Sequence, residues 1–517
     1  MPEYFQDTLF GFLVRSIPGT RLLSYDDELD EALREEYVET SKKRQLEHGT
    51  TDGLEKGPAE DFVLVDWSDD DPCHPRNWAL WKKCFVTGQI CLLCFAIYIG
   101  AAVYTSGLEG IRQRFGISET AALLGLTLYV LGYGIGPMLW SPVAEMPLIG
   151  RNPVYLLTLL AFVFFNFGVV YARNTGILGS PVLGTGGASL ADMFRPQKRA
   201  YSITAFALAN ICGPTVGPIV GNWAAEFKGW TWPIWELIWI SGFTFVFLFF
   251  FLPETMAENI LYKRTLRLRK SNVQIRLKSQ AEIDAADLKV TDILNTTLVR
   301  PFTLMIYEPI VLVLNLYLAL IYALLYCWLE SIPIAFSEVR GFSSGITGLC
   351  FIGIAAGAFV VAPPYIYYNY YYVEPRFNSQ GDLKPEIRLE PALMGSFCLP
   401  VCLFFFGWTA QYASVLWIVP VIATSFFTVG GFLSFAGIFN YLGDAYPSSY
   451  ASISAGNDFM RSCFGAAFPL FANQMFHTNW GNSLLGFVSI VFIPIIFYIW
   501  RNGEALRMRS KNARHDI

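Results

Sequence analysis

Twelve long apolar runs, each bounded by charge or by Pro/Gly punctuation, constrain this chain more than any other feature of it. They lie at 85–104, 119–140, 153–171, 177–194, 201–221, 232–252, 308–329, 344–366, 391–409, 414–437, 449–471 and 482–500. Most reach the roughly 17–25 residues that a tilted helix needs to cross hydrocarbon. Inside lipid every backbone N–H and C=O must be paired, which selects helices over isolated strands. The expectation is an all-α membrane protein. Composition agrees: 54% of the residues are apolar and only 15% charged, too few to coat a soluble core of 517 residues. The net charge of −5 is small, and no basic tract interleaved with aromatics is present, so nucleic acid is not an expected partner.

The first 83 residues are polar and carry acidic and basic runs, unlike a signal peptide, so the first apolar run reads as a retained membrane helix. The segment 254–301 splits the runs six and six. It holds Lys263, Arg264, Arg267, Arg269, Lys270, Arg276 and Lys278, which reads as a cytoplasmic linker by the excess of Lys and Arg on inner loops. The predicted organisation is a cytoplasmic tail (1–83), a helix bundle (84–253), the linker (254–301), a second bundle (302–500) and a cytoplasmic tail (501–517). The fourth run, Ile177–Phe194, is short and rich in Gly and Ser. Parity requires it as a crossing, because otherwise linker and C-terminal tail fall on opposite sides. Most of the ten cysteines lie in apolar runs, and the lone Cys91–Cys94 pair lacks the further ligands that zinc needs. No metal or cofactor is expected, and the sequence carries no ATP-binding motif.

A series of motifs then points to one family. The lead-in Asp66–Trp78 (DWSDDDPCHPRNW), the loop Gly136–Tyr155 (GPMLWSPVAEMPLIGRNPVY), Ser180–Phe194, Gly213–Gly221 (GPTVGPIVG) and Leu252–Thr255 (LPET) occur in that order. Glu308–Ile310, Pro385–Pro391 (PEIRLEP), Phe405–Tyr412 and Asn440–Phe471 continue it. Together they resemble the major facilitator superfamily, specifically fungal drug:proton antiporters with twelve spans, over about residues 60 to 505. The resemblance implies two six-helix bundles, proton-coupled efflux of drugs, toxins or secondary metabolites, and a plasma-membrane location. One departure stands out. The family's fourth helix begins with a longer apolar stretch containing an arginine, and about a dozen such residues are missing after Tyr171. Arg173 matches the preceding loop and does not replace that arginine, which puts proton coupling in question.

Individual residues carry two readings each. Gly213, Pro214, Gly217, Pro218 and Gly221 allow close backbone approach on a bent helix. By the resemblance they seal a cavity, and by the plainer reading they pack helices. Gly136, Glu145, Gly150 and Arg151 form either a charge latch that pairs in one state and separates in another, or a solvated loop. Ionisable groups in spans cost about 2.5–3.5 kcal/mol on insertion scales and need a partner or a purpose. Asp192, Glu330, Asp458 and Arg461 are therefore candidates for a proton or charge relay. Asp458 and Arg461, three apart on one helical face, also suit an intrahelical ion pair. Glu308 reads as interfacial and served by water. Tyr129, Tyr133, Asn315, Tyr322, Tyr326 and Phe427 are candidates for an apolar substrate cavity between the halves, or for lipid-facing and packing roles.

These readings predict a transporter and no enzyme: a monomer in a lipid bilayer, acting on a small molecule and protons. The alternatives are a polyamine or nutrient carrier of the same fold, or an inactive product of the shortened fourth helix.

Overall fold

The computed structural model describes residues 2–17, 22–47, 62–68, 70–171, 186–271, 276–287, 295–378, 382–476 and 479–516. The first half contains α1 Leu80–Ser106, α2 Glu119–Glu145, α3 Arg151–Val170, α4 Gly186–Met193, α5 Pro196–Lys228 and α6 Trp232–Phe251. The second contains α7 Pro309–Pro333, α8 Ile352–Tyr368, α9 Glu390–Ala410, α10 Ile418–Ala445, α11 Tyr450–Ala467 and α12 Asn479–Arg507. Among the described residues ten helices, all of these except α4 and α11, are long and apolar enough to cross a membrane. The expected fourth span falls largely on residues outside the described ones, and α4 is its described end. α11 is a continuous helix whose apolar run is interrupted by Asn457, Asp458 and Arg461, and it ends at Phe468 before a second piece, Pro469–Phe476.

Several helices overrun the apolar runs that announced them. α5 was expected at 201–221 and extends five residues before and seven after that core, from a proline in its first turn to Gly229 at φ +94°. Apolarity marks only the stretch that needs hydrocarbon, whereas a helix continues until a cap stops it.

Within the first half α5 and α6 pack on α1, and α3 packs on α6. Within the second, α9 packs on α10 and α12, α8 on α10, and α11 on α7. Between the halves, α2 meets α11 and α5 meets α8. Counting six helices along, α8 is the counterpart of α2 and α11 of α5. The two junctions are thus one contact made twice, as a pseudo-two-fold relation requires.

Both tails lie at one end of the bundles and are folded against it. Val63–Val65 (β1) pairs in parallel with Leu277–Ser279 (β2) of the linker. Arg264 forks onto Asp71 at 2.5 and 3.2 Å, both side chains buried, and Arg267 holds Asp27 at 2.8 Å while lying 3.7 Å over the Tyr25 ring. The acidic tail and the basic linker, read separately above, neutralise each other. Glu308 also differs from its expected watery position. It is buried, accepting from Ser510 at 2.7 Å, Asn512 at 2.9 Å and the Tyr446 hydroxyl at 3.3 Å. The C-terminal tail makes this possible by folding back, with the Arg514 N–H on the Ala445 carbonyl at 2.8 Å. Burial, with Glu308 alongside, pushes the Tyr446 hydroxyl above its ordinary pKa and keeps it a donor.

Candidate functional site

Where α1 and α5 face α7, α10 and α11, the halves enclose a cavity of about 70 Å³. Its wall is mostly apolar, with Ile211, Leu318, Phe427 and Phe432 among the lining residues. Thr428 turns its hydroxyl onto the Ile354 carbonyl (2.9 Å), which leaves Tyr98, Asn210, Tyr322 and Arg461 as the polar groups of the lining among the described residues.

Arg461 is the hub. Helical spacing puts it on the same face of α11 as Asp458, and the two pair at 2.9 Å. The same Nη2 donates to the Tyr98 hydroxyl at 2.7 Å. The guanidinium lies 4.9 Å from the Tyr322 ring centre and 5.6 Å from that of Phe435. An ion pair, a hydroxyl and two aromatic faces offset the cost of a buried cation. Tyr98, Phe435 and Arg461 also border a second cavity of about 70 Å³ towards the end that carries the tails. Asp458, Glu145 and Tyr450 line that one. Arg461 therefore stands between an apolar chamber and an acidic one.

The expected cavity tyrosines come together, but not all as lining. The Tyr133 hydroxyl of α2 bonds those of Tyr322 (2.6 Å) and Tyr326 of α7, tying one half to the other behind the wall. Tyr129 donates to the Ile97 carbonyl at 2.7 Å and fastens α2 to α1. Asn315 accepts from Asn457 at 3.0 Å and fastens α7 to α11, away from the lining. Tyr322 and Phe427 do line the chamber. Sequence reasoning missed Tyr98 and Asn210. Neither polar atom of the Asn210 amide has a hydrogen-bond partner among the described residues. A lone amide three residues before Gly213 in an apolar run was the available signal, since an unpaired amide in a span is costly.

The expected latch residues cluster differently from a simple Glu145–Arg151 pair. Arg151 lies 3.0 Å from Asp192 of α4, and Glu145 lines the second cavity. Gly136 is buried in α2. Gly150 sits at φ +83°, where a Cβ would strike the Glu254 carboxylate. That carboxylate, from the LPET motif, accepts the N–H groups of Arg151 (3.1 Å) and Asn152 (3.2 Å), capping α3 with an anion at its positive end. It also accepts from Thr255 and Met256, so it holds the turn that follows α6. The glycines of α5 face α1. A Cβ on Gly213 would meet Tyr98 at 2.8 Å, one on Gly217 the Ala102 side chain at 2.7 Å, and one on Gly221 Ser106 at 2.8 Å. They seat α5 against α1 inside the first half, and Pro214 and Pro218 lie buried in the same helix. Glu330 lies near the opposite end, close to Glu119 of α2.

Contacts bridge the halves at both ends. At the end bearing the tails, Asp444 of α10 takes Arg199 of α5 at 2.6 Å and Arg388 at 2.9 Å, and Lys198 meets Glu374 at 2.8 Å. At the far end a Cβ on Gly348 would strike the Pro218 carbonyl and lie 3.2 Å from Asn222, and the Glu226 carboxylate accepts the Gly345 N–H. Thr127 of α2 donates to the Ala466 carbonyl of α11 at 3.0 Å.

The comparisons with known proteins run the same way. The sequence profile described as Major Facilitator Superfamily matches residues 90–469. Transporter mfs1 of Schizosaccharomyces pombe is 39% identical over 475 residues, 88% of this chain and 89% of its own. Fluconazole resistance protein 1 of Saccharomyces cerevisiae is 36% identical, covering 92% and 90%. Efflux pump FUB11 of Gibberella moniliformis is 35% identical, covering 89% and 79%. Among solved structures, the xylose transporter XylE from E. coli in a partially occluded inward-open conformation aligns with a TM-score of 0.55 at 14% identity, over 81% of this chain and 98% of that one, a likeness of fold alone. Paired six-helix halves, the contact made twice between them, and a profile spanning both show that the chain belongs to the Major Facilitator Superfamily, a family of membrane transporters.

Proposed function

We propose that this chain exports small amphipathic compounds from the cytoplasm across the plasma membrane, as a monomer driven by the proton gradient. The observation that carries the reading is the central chamber, walled by helices of both halves and bounded at each end by contacts between them. Alternating access follows if the two sets of contacts open in turn. The chamber is far smaller than the 300–1,000 Å³ of typical ligand sites, so cargo must part the halves to enter. Drug-resistance and efflux names among fungal relatives support this cargo class. The basic linker and both tails define the cytoplasmic end.

Coupling is assigned to Asp458 and Arg461. The charged and titratable groups about Asp458 are Arg461, Tyr98, Cys94 and Tyr450, with Glu145 on the wall of the same cavity. A proton on Asp458, arriving through the acidic cavity, weakens its hold on Arg461 and frees the guanidinium for cargo; loss of the proton draws it back. Such a pair serves antiport without the arginine missing from the fourth helix. Arg151 and Asp192 act as the latch that reports which end is open.

The test is uptake into inside-out vesicles from yeast lacking its own pumps, with and without an imposed pH gradient, over a broad panel of apolar drugs. Gradient-dependent accumulation that collapses with a protonophore is expected. Equal uptake with and without the gradient would remove coupling, and no uptake of any compound would remove export.

A further inference from the structure

Resting on the export reading, we infer that the central chamber selects cargo by charge: it takes acceptor-rich neutral or anionic compounds and rejects cations. Among the described residues the lining carries one ionic group, Arg461, and no carboxylate. Its counter-ion, Asp458, borders the second cavity instead. The field on the apolar side is therefore that of a guanidinium seen from its front, in surroundings where charges are poorly screened.

The free hydrogen-bonding capacity has the same polarity. Arg461 spends Nη2 on Tyr98 and Asp458, while its Nε has no partner among the described residues. Tyr98 accepts from Arg461 and retains its own O–H. Asn210, on α5 across the chamber, adds an unpaired amide nitrogen with its two N–H groups and one unpaired carbonyl oxygen. Donors thus outnumber acceptors, which suits carbonyl, ether, nitro, heteroaromatic nitrogen or carboxylate groups on the cargo.

Aromatic walls normally favour cations, but here the two rings beside Arg461 are already engaged, and Phe427 of the same wall is stacked on Trp328. The rings of Tyr322 and Phe435 already hold the Arg461 guanidinium. An ammonium ligand would have to displace the protein's own cation or sit beside it. A polyamine, with several positive charges, fits this wall worst of all.

The experiment uses one aromatic scaffold bearing a primary amide, a carboxylate or a trimethylammonium group. Binding of each to the full-length purified chain is measured by calorimetry, without any gradient, so that it does not depend on coupling. The amide and carboxylate members are expected to bind within about tenfold of each other, and the ammonium at least about 100-fold more weakly. Arg461→Gln should cost the carboxylate more than tenfold and spare the amide. Because that change strands Asp458, the double variant Asp458→Asn/Arg461→Gln is measured beside it and should abolish the preference against the ammonium. Asn210→Leu should weaken the amide about five- to tenfold and leave the charge order intact. Equal binding of all three by the unaltered chain, an unchanged order in the double variant, or no binding of any member would overturn the inference. Export of all three at equal rates sinks selectivity but leaves export standing. An intact binding order with no export in vesicles sinks export alone.

Discussion

The two ends of the molecule are closed by different physics. At the end bearing the tails, the halves are joined by charge: Asp444 between Arg199 and Arg388, with Lys198 on Glu374. At the far end they are joined mainly by shape, the backbone of Pro218 lying against Gly348 and the ring of Trp223 against Gly345. A packed seal parts only by exposing apolar surface and losing many small contacts. A charged seal parts into water, where each ion recovers its hydration, so its strength depends on how deeply it is buried. The comparison teaches that opening the two ends draws on separate forces, which separate substitutions can address.

Burial makes Asp444 the most sensitive point. Arg388 is only 3% exposed and Asp444 13%, so Asp444→Asn leaves two largely buried guanidinium groups facing each other. Breaking such a pair costs about 3–5 kcal/mol. The expected result is a clear fall in the unfolding midpoint, followed by tryptophan fluorescence, and export slowed by at least about tenfold. Replacing the whole triad, Arg199→Leu and Arg388→Leu with Asp444→Leu, should recover part of the midpoint, because an apolar cluster carries no desolvation penalty. A midpoint unchanged in Asp444→Asn would mean that this end is closed by packing as well, and the contrast would disappear.

At the far end the corresponding change adds volume. Gly348→Leu drives a side chain into the Pro218 carbonyl and Asn222. Overpacking of this kind costs about 1–3 kcal/mol and should be relieved by parting α5 from the short helix Ser344–Leu349 that leads into α8. Cys350, buried two residues on, reports the opening. With Cys350 as the sole cysteine, a membrane-impermeant maleimide should label the variant several-fold faster than the parent. Equal labelling would show that shape does not hold this end shut.

Much of this contrast was legible in sequence, but unevenly. Twelve apolar runs announced the halves because lipid imposes length and apolarity on every crossing. The fourth and eleventh were the hard cases for opposite reasons: one is short and Gly-rich, the other carries Asp458 and Arg461 within its span. The Asp458–Arg461 pair was readable, since three residues on a helix face are neighbours whatever the tertiary fold. The Arg151–Asp192 and Arg199–Asp444 pairs join residues from different helices, and spacing says nothing about those. Glu254 sat within a recognised motif, but the N–H groups it caps at the start of α3 lie 103 and 102 residues away in sequence. Asn210 was overlooked because attention went to charges, although an amide without a partner in an apolar wall is as informative. The joining of tail to linker was foreshadowed by opposite charge runs, and only the fold says that they meet.

The weakest tie sharpens the contrast by its smallness. Lys198 reaches Glu374 at 2.8 and 2.9 Å, and Tyr201 donates to the same carboxylate. Geometry alone would rank this pair beside that of Asp444. Exposure decides otherwise, for the Lys198 side chain is 55% exposed against 14% for Arg199. Water and counter-ions already solvate the ammonium in the closed arrangement, so releasing it changes little. Pairs of this kind contribute about 0–1 kcal/mol. Lys198→Ala should therefore leave export within about twofold of the parent, and a double-mutant cycle with Glu374→Gln should give a coupling below about 1 kcal/mol. Raising the salt from about 0.1 M to about 1 M shortens the screening length from roughly 10 Å to 3 Å and should erase even that coupling. The cycle at Arg199 and Asp444 should keep most of its value under the same salt, because ions do not reach a buried pair. If both cycles fell together, the charged end would be a surface feature throughout, and burial would not be what separates its strong tie from its weak one.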